Sequence, residues 1–137
     1  MKNDFVSPDF KVKILIIDKD NRFINIASKM LESYECYFAT NESEAINKIS
    51  KYSPELIFTE IDIPSNDNVN IISAIKLANP DNYIIVLTGN STVSDVEHSI
   101  KQGCKNYIIK PLSRKQVQNV LIKFEEHKGK LSKNKSY

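Results

Sequence analysis

The sequence predicts an α/β protein with a parallel sheet between two layers of helices. Three observations lead there: short apolar runs, amphipathic segments alternating with them, and capping signals at the junctions. Most of the runs are nearly continuous in apolar residues, the pattern of strands covered on both faces. Val12–Ile17 is the first run. Asp20 follows as the cap of a helix beginning near Asn21, with its apolar stripe at Phe23, Ile24, Ala27, Met30 and Leu31. Cys36–Ala39 is the second and most mixed run. Asn41 with Glu44 three residues on then reads as a capping-box variant, opening a helix that carries Ala45, Ile46 and Ile49. Leu56–Thr59 is the third run, followed by the stripe Val69, Ile72, Ile75 and Ala78.

The fourth unit is Tyr83–Leu87 with the stripe Val93, Val96 and Ile100, and Gly103 stands where a left-handed helix cap belongs. Asn106–Ile109 is the fifth run. Ser113 paired with Gln116 opens a final helix bearing Val117, Val120, Leu121 and Phe124. Five βα units with right-handed crossovers form a three-layer sandwich, whose ligands bind outside the carboxyl ends of the strands. Asp18, Glu60, Thr88 and Lys110 each stand at or just after such an end, so the fold gathers them in one place.

The 137 residues suit one domain, expected over 10–127, with a basic, frayed tail over 128–137. A net charge of +2 gives no field that would favour nucleic acid or a membrane surface. Apolar runs such as Ile14–Ile17 fall far short of the ~20 residues of a membrane helix. Met1–Phe5 has no signal-peptide core behind it, so the chain is expected in the cytoplasm. Cys36 and Cys104 lack metal-ligand spacing and read as small core residues of a reducing compartment.

Four motifs mark the strand ends: Ile14–Asp20, Pro54–Pro64 around Glu60, Ile84–Gly89 and Tyr107–Pro111. Together they resemble the receiver domains of bacterial response regulators, over about residues 11–126. The resemblance implies the flavodoxin-like strand order 2-1-3-4-5, which periodicity alone does not select. It also places the site at the switch point between the first and third strands.

In that family the position of Glu60 is an aspartate that accepts a phosphoryl group from a histidine kinase. Asp18 matches the first of two adjacent acidic residues after strand 1. Lys19 stands where the second, a direct Mg²⁺ ligand, is expected, and Asp20, one place further on, is either the helix cap or a displaced ligand. Asp62 falls where the family offers a backbone carbonyl to the metal. Thr88 matches the switch hydroxyl, Tyr107 the aromatic that rotates with it, and Lys110–Pro111 the lysine and proline beside the phosphoacceptor. Ser65–Asn68 replaces the usual glycines, with Asn68 the residue best suited to a positive φ.

Phosphoryl transfer of this kind needs an in-line carboxylate, Mg²⁺ and a lysine contact. Asp18 and Glu60 balance Lys19 and Lys110 without a metal. A like charge about 4 Å from an added ion costs roughly 4 kcal/mol at an effective dielectric near 20, so Mg²⁺ is disfavoured; Lys19 swinging outward into solvent, or a compensating charge from Asp62, would reduce that cost. The extra methylene of Glu60 moves its carboxylate by roughly 1.5 Å, where about 1 Å of misplacement can cost a hundredfold in rate.

These points imply no active catalytic residue, no resident metal and no cofactor. The leading expectation is an atypical receiver acting through protein contacts; Glu60 either partly imitates a phosphorylated aspartate through bonds from Lys110, Lys19 or Thr88, or belongs to a charge-balanced polar cluster that only holds the strand ends together. The face formed by helix 4, strand 5 and helix 5, with Glu97, His98, Lys101, Lys105, Arg114 and Lys115, would meet a histidine kinase, an output domain or a second copy. The alternative is an active Mg²⁺-dependent phosphoacceptor. A third reading is a receiver cut from a longer regulator with DNA-binding or enzymatic output. Flavin or nucleotide binding lacks a phosphate-cradling loop after the first strand.

Overall fold

The computed structural model describes residues 12–65, 70–89 and 92–135, with backbone alone from 131. Five parallel strands, β1 (Lys13–Ile17), β2 (Glu35–Ala39), β3 (Leu56–Glu60), β4 (Tyr83–Thr88) and β5 (Asn106–Ile109), lie in the order β2-β1-β3-β4-β5. The helices are α1 (Asn21–Met30), α2 (Glu42–Tyr52), α3 (Ile71–Ala78), α4 (Val93–Lys101) and α5 (Arg114–Lys135). Asn68 and Val69, assigned above to a loop and a helical stripe, lie outside the described residues.

Alternation along each strand divides the core between the two faces. Ile14 and Ile16 of β1 join Ile24 and Ala27 of α1 and Val117, Val120 and Phe124 of α5. Leu15 and Ile17 join Ala45 and Ile49 of α2 and Ile71, Ile72 and Ile75 of α3. Every side chain of β1 from Ile14 to Ile17 is fully buried, which explains its unbroken apolar sequence.

Local signals set the helix ends. Asp20 caps α1 by accepting the Arg22 N–H at 2.9 Å. Asn41 accepts from Glu44 N at 2.9 Å, while Glu44 reaches back one residue further than a simple capping box, to Thr40 N at 2.8 Å. Ser113 and Gln116 form the reciprocal pair at 3.2 and 3.0 Å. Gly103 has φ +117°, a backbone conformation that strains any residue with a Cβ, so glycine suits the turn. Burial of Cys104 raises its thiol to about 12, consistent with an inert core residue.

Two features differ from the sequence reading. The stripe on α4 is not buried against the sheet: Val93 is 75% exposed and Ile100 46%. These residues line a groove with Val96, Tyr107 and Ile109 instead. The final helix also passes the boundary expected at 127 and runs to Lys135. Nothing breaks it there, because the lone Gly129 weakens a helix by only about 1 kcal/mol, and contacts hold the turn at the boundary. His127 lies 5.0 Å from the Tyr83 ring, and Lys128 pairs with Glu55 at 3.2 Å.

His127 is held below its ordinary value of 6.5, first by burial and then by Lys105, Lys130 and Lys76. Its folded pKa is therefore below its unfolded one, so the unfolded state binds more protons in acid. Its effect on stability is absent well above 6.5 and grows as a loss when pH falls through that region. His127→Gln is expected to flatten the decline in urea midpoint between about pH 7 and 5 relative to the parent. Parallel profiles for the two proteins would refute this.

Candidate functional site at the carboxyl ends of the strands

The register sets Glu60 at the end of β3 opposite Leu87, and Thr88 opposite Ile109 at the end of β4. Asp18 follows Ile17 of β1, and its own N–H is fixed by Ala39 O at 3.0 Å. Lys110 follows β5, its N–H donating to Thr88 O at 2.8 Å, and the Lys110–Pro111 peptide is cis. Four strand ends thus bring Asp18, Glu60, Thr88 and Lys110 to one rim of the sheet.

Asp18 is fully buried. Its Oδ1 accepts the Asp20 N–H at 2.9 Å and its Oδ2 accepts from Lys110 Nζ at 2.7 Å. The same ammonium reaches Glu60 Oε2 at 3.4 Å, near the limit of a hydrogen bond. Glu60 Oε1 is buried and finds no hydrogen-bond partner among the described residues. Lys110 therefore serves chiefly the buried aspartate and holds Glu60 loosely.

Lys19 does not bond Glu60, one of the partners expected for that carboxylate. Its side chain turns outward to Asp62 Oδ2 at 3.1 Å. Asp62 is 92% exposed and Lys19 44%, so solvent screens the pair. The bond to Asp62 raises the Lys19 ammonium above its ordinary value against the opposing effect of desolvation, with the charges of Glu60, Asp62 and Asp18 adding to the rise. A charged rim residue finds the nearest water-exposed partner because that costs no desolvation.

Between them lies a cavity of about 570 Å³, lined by Lys19, Glu60, Asp62, Gly89, Asp95 and Lys110 among others. Asp95 was not singled out in the sequence; it is the acidic member of the α4 capping box, a role that gave no hint of its neighbours. Phe23 was read only as a core residue, yet its ring lies 4.2 Å from Lys110 Nζ. Thr88 is buried at the end of β4, while Tyr107 is 42% exposed, and both border the α4–β5 groove. Glu97, His98, Lys101, Lys105, Arg114 and Lys115 are all exposed.

A Mg²⁺ ion requires near-octahedral oxygen coordination at about 2.0–2.1 Å. Both oxygens of Asp18 and one of Glu60 are already engaged, and Asp62 is paired at the rim. Among the described residues no three His, Cys, Asp or Glu side chains cluster as metal ligands would. With an ammonium at the cavity wall as well, these residues do not fit that ion.

Similarity to known proteins agrees with this geometry. The chain is 27% identical to the transcriptional regulatory protein ZraR of Klebsiella oxytoca over 119 residues, 85% of this chain and 27% of ZraR. It is 26% identical to transcription factor SKN7 of Saccharomyces cerevisiae over 113 residues, 81% of this chain and 18% of SKN7. It therefore spans about a quarter or less of the length of these relatives.

Among solved structures, a CheY-like receiver domain protein from Methanospirillum hungatei JF-1 superposes with a TM-score of 0.75 at 22% identity, covering 88% of this chain and 98% of that one. A two-component response regulator from Clostridium difficile gives 0.76 at 25% identity, over 85% and 97%. Residues 14–122 match the profile of the response regulator receiver domain. With that match, the strand order and the rim of strand ends just described, the chain belongs to the response regulator receiver domain family.

Proposed function

We propose that this receiver acts in two-component or derived signalling through protein contacts, without passing through an aspartyl phosphate. The reading rests on one observation. The ammonium of Lys110 already bridges Asp18 and Glu60, at 2.7 and 3.4 Å, in a site whose remaining donors do not suit Mg²⁺. A phosphoryl group transferred here would lack the ion that neutralises its equatorial oxygens. Glu60 keeps one carboxylate of the ancestral position in contact with the lysine, with less charge than a phosphate and fewer acceptors.

Partner recognition is assigned to the α4–β5–α5 face, where Val93, Ile100, Tyr107 and Ile109 are exposed beside charged residues. A kinase, an output domain or a second copy of the chain could occupy it, in the cytoplasm where such relays work. The relatives' roles in transcription support a protein-coupled output, whether on the same chain or another.

The test is incubation with Mg²⁺ and acetyl phosphate beside a competent receiver. The expected result is an unchanged intact mass for this chain while the control gains a phosphoryl group. Incorporation at Glu60 would establish the alternative, an active phosphoacceptor. Glu60→Gln is expected to change Tyr107 fluorescence if Glu60 biases the output face. No change would leave the carboxylate as a polar tie between strand ends.

A further inference from the structure

The Lys110 ammonium has three N–H donors, and the structure accounts for its surroundings unequally. Asp18 Oδ2 takes one at 2.7 Å, Glu60 Oε2 lies at 3.4 Å, and the Phe23 ring stands 4.2 Å from the nitrogen. Asp18 and Phe23 both belong to the β1–α1 unit, whereas Glu60 alone draws from β3. Phe23 packs half-buried against the α1–α5 core, so its ring is held from behind. The first turn of α1 is fixed to the same site, because Asp18 Oδ1 accepts the Asp20 N–H and Asp20 caps the helix.

We infer that Phe23 is a positioning residue for Lys110: its π face retains the ammonium on Asp18 and thereby sets how weakly Glu60 is held. The attraction of a cation to a ring face is electrostatic, so it follows the electron density of the ring as well as its shape. A residue that merely filled space would be indifferent to that density. The inference deepens the proposed function, since it names what regulates the Lys110–Glu60 contact.

The experiment replaces Phe23, by site-specific incorporation, with mono-, di- and trifluorinated phenylalanines. These weaken the ring face stepwise while nearly preserving its size. The Lys110 ammonium is followed by ¹⁵N-lysine NMR through its proton exchange with water, and Glu60 through its carboxylate ¹³C shift. Exchange is expected to rise with each fluorine, reaching about tenfold when a partly desolvated cation–π contact is lost, with a parallel change at Glu60. Phe23→Tyr should behave as the parent and Phe23→Leu as the most fluorinated protein.

A flat series, with exchange insensitive to fluorination, would overturn the inference. It would do so even if Phe23→Leu fails to fold, because every fluorinated protein keeps its ring. Acetyl phosphate labelling of the same samples separates the two claims. Labelling with the fluorine trend intact overturns the proposed function alone, and a flat trend without labelling overturns only the role of Phe23.

Discussion

Lys110→Met is expected to destabilise the fold by about 3–5 kcal/mol, the range for removing one partner of a buried ion pair. Asp18 is fully buried, and Lys110 Nζ at 2.7 Å is the cation bound to it. Without that ammonium the carboxylate keeps, among the described residues, only the Asp20 N–H, which does not compensate a charge withdrawn from water. The loss should appear as a lower urea midpoint with an unchanged slope. Adding Asp18→Asn to Lys110→Met should recover most of it, since the neutral amide is the cheaper group to bury. The Glu60 contact contributes little, being long and partly exposed. If the single substitution costs less than about 1 kcal/mol, the pair is a solvated surface bridge and this account of the site fails.

Lys19→Asp combined with Glu60→Asp is expected to give Mg²⁺ binding and labelling by acetyl phosphate where the parent shows neither. The first change removes an ammonium from the cavity wall and supplies an oxygen ligand. A like charge about 4 Å from an ion would cost roughly 4 kcal/mol at an effective dielectric near 20, and the outward turn of Lys19 and its exposed pairing with Asp62 hold the gain from its removal below that figure. The first change also releases Asp62, to which Lys19 is bonded. The second change withdraws the carboxylate to the length at which in-line attack is geometrically available. Lys19→Asp alone should bind the ion without labelling, and Glu60→Asp alone should do neither. Titration of Mg²⁺ against intrinsic tyrosine fluorescence and intact mass after acetyl phosphate measure the two arms. A double variant that binds no Mg²⁺ would show that the fold around the cavity, and not these two side chains, blocks the chemistry.

Much of this was legible in the sequence because it is carried by backbone period and strand position. Runs such as Ile14–Ile17 and Tyr83–Leu87 are apolar at every position since both faces are covered, and the helix caps at Asp20, Asn41 and Ser113 rest on local bonds. Strand ends brought Asp18, Glu60, Thr88 and Lys110 to one rim for the same reason. What sequence did not disclose depends on side-chain direction and competition. Lys19 chose Asp62, two residues from Glu60, because an exposed bridge avoids desolvation. Phe23 looked like any residue of an amphipathic stripe, and only the position of Lys110, far along the chain, gives its ring a second role. The α4 stripe has helical spacing whether it faces a core or a groove, so exposure of Val93 and Ile100 could not be read from periodicity.

The strand order has a bearing on biogenesis. β1 precedes the other four strands of the sheet in the chain but lies between β2 and β3. As the chain leaves the ribosome, β1, α1 and β2 can assemble early, yet one hydrogen-bonding flank of the apolar strand β1 stays unmet until Leu56–Glu60 emerges. A nascent chain stalled before that point would present Ile14–Ile17 as a bare template for pairing with other chains.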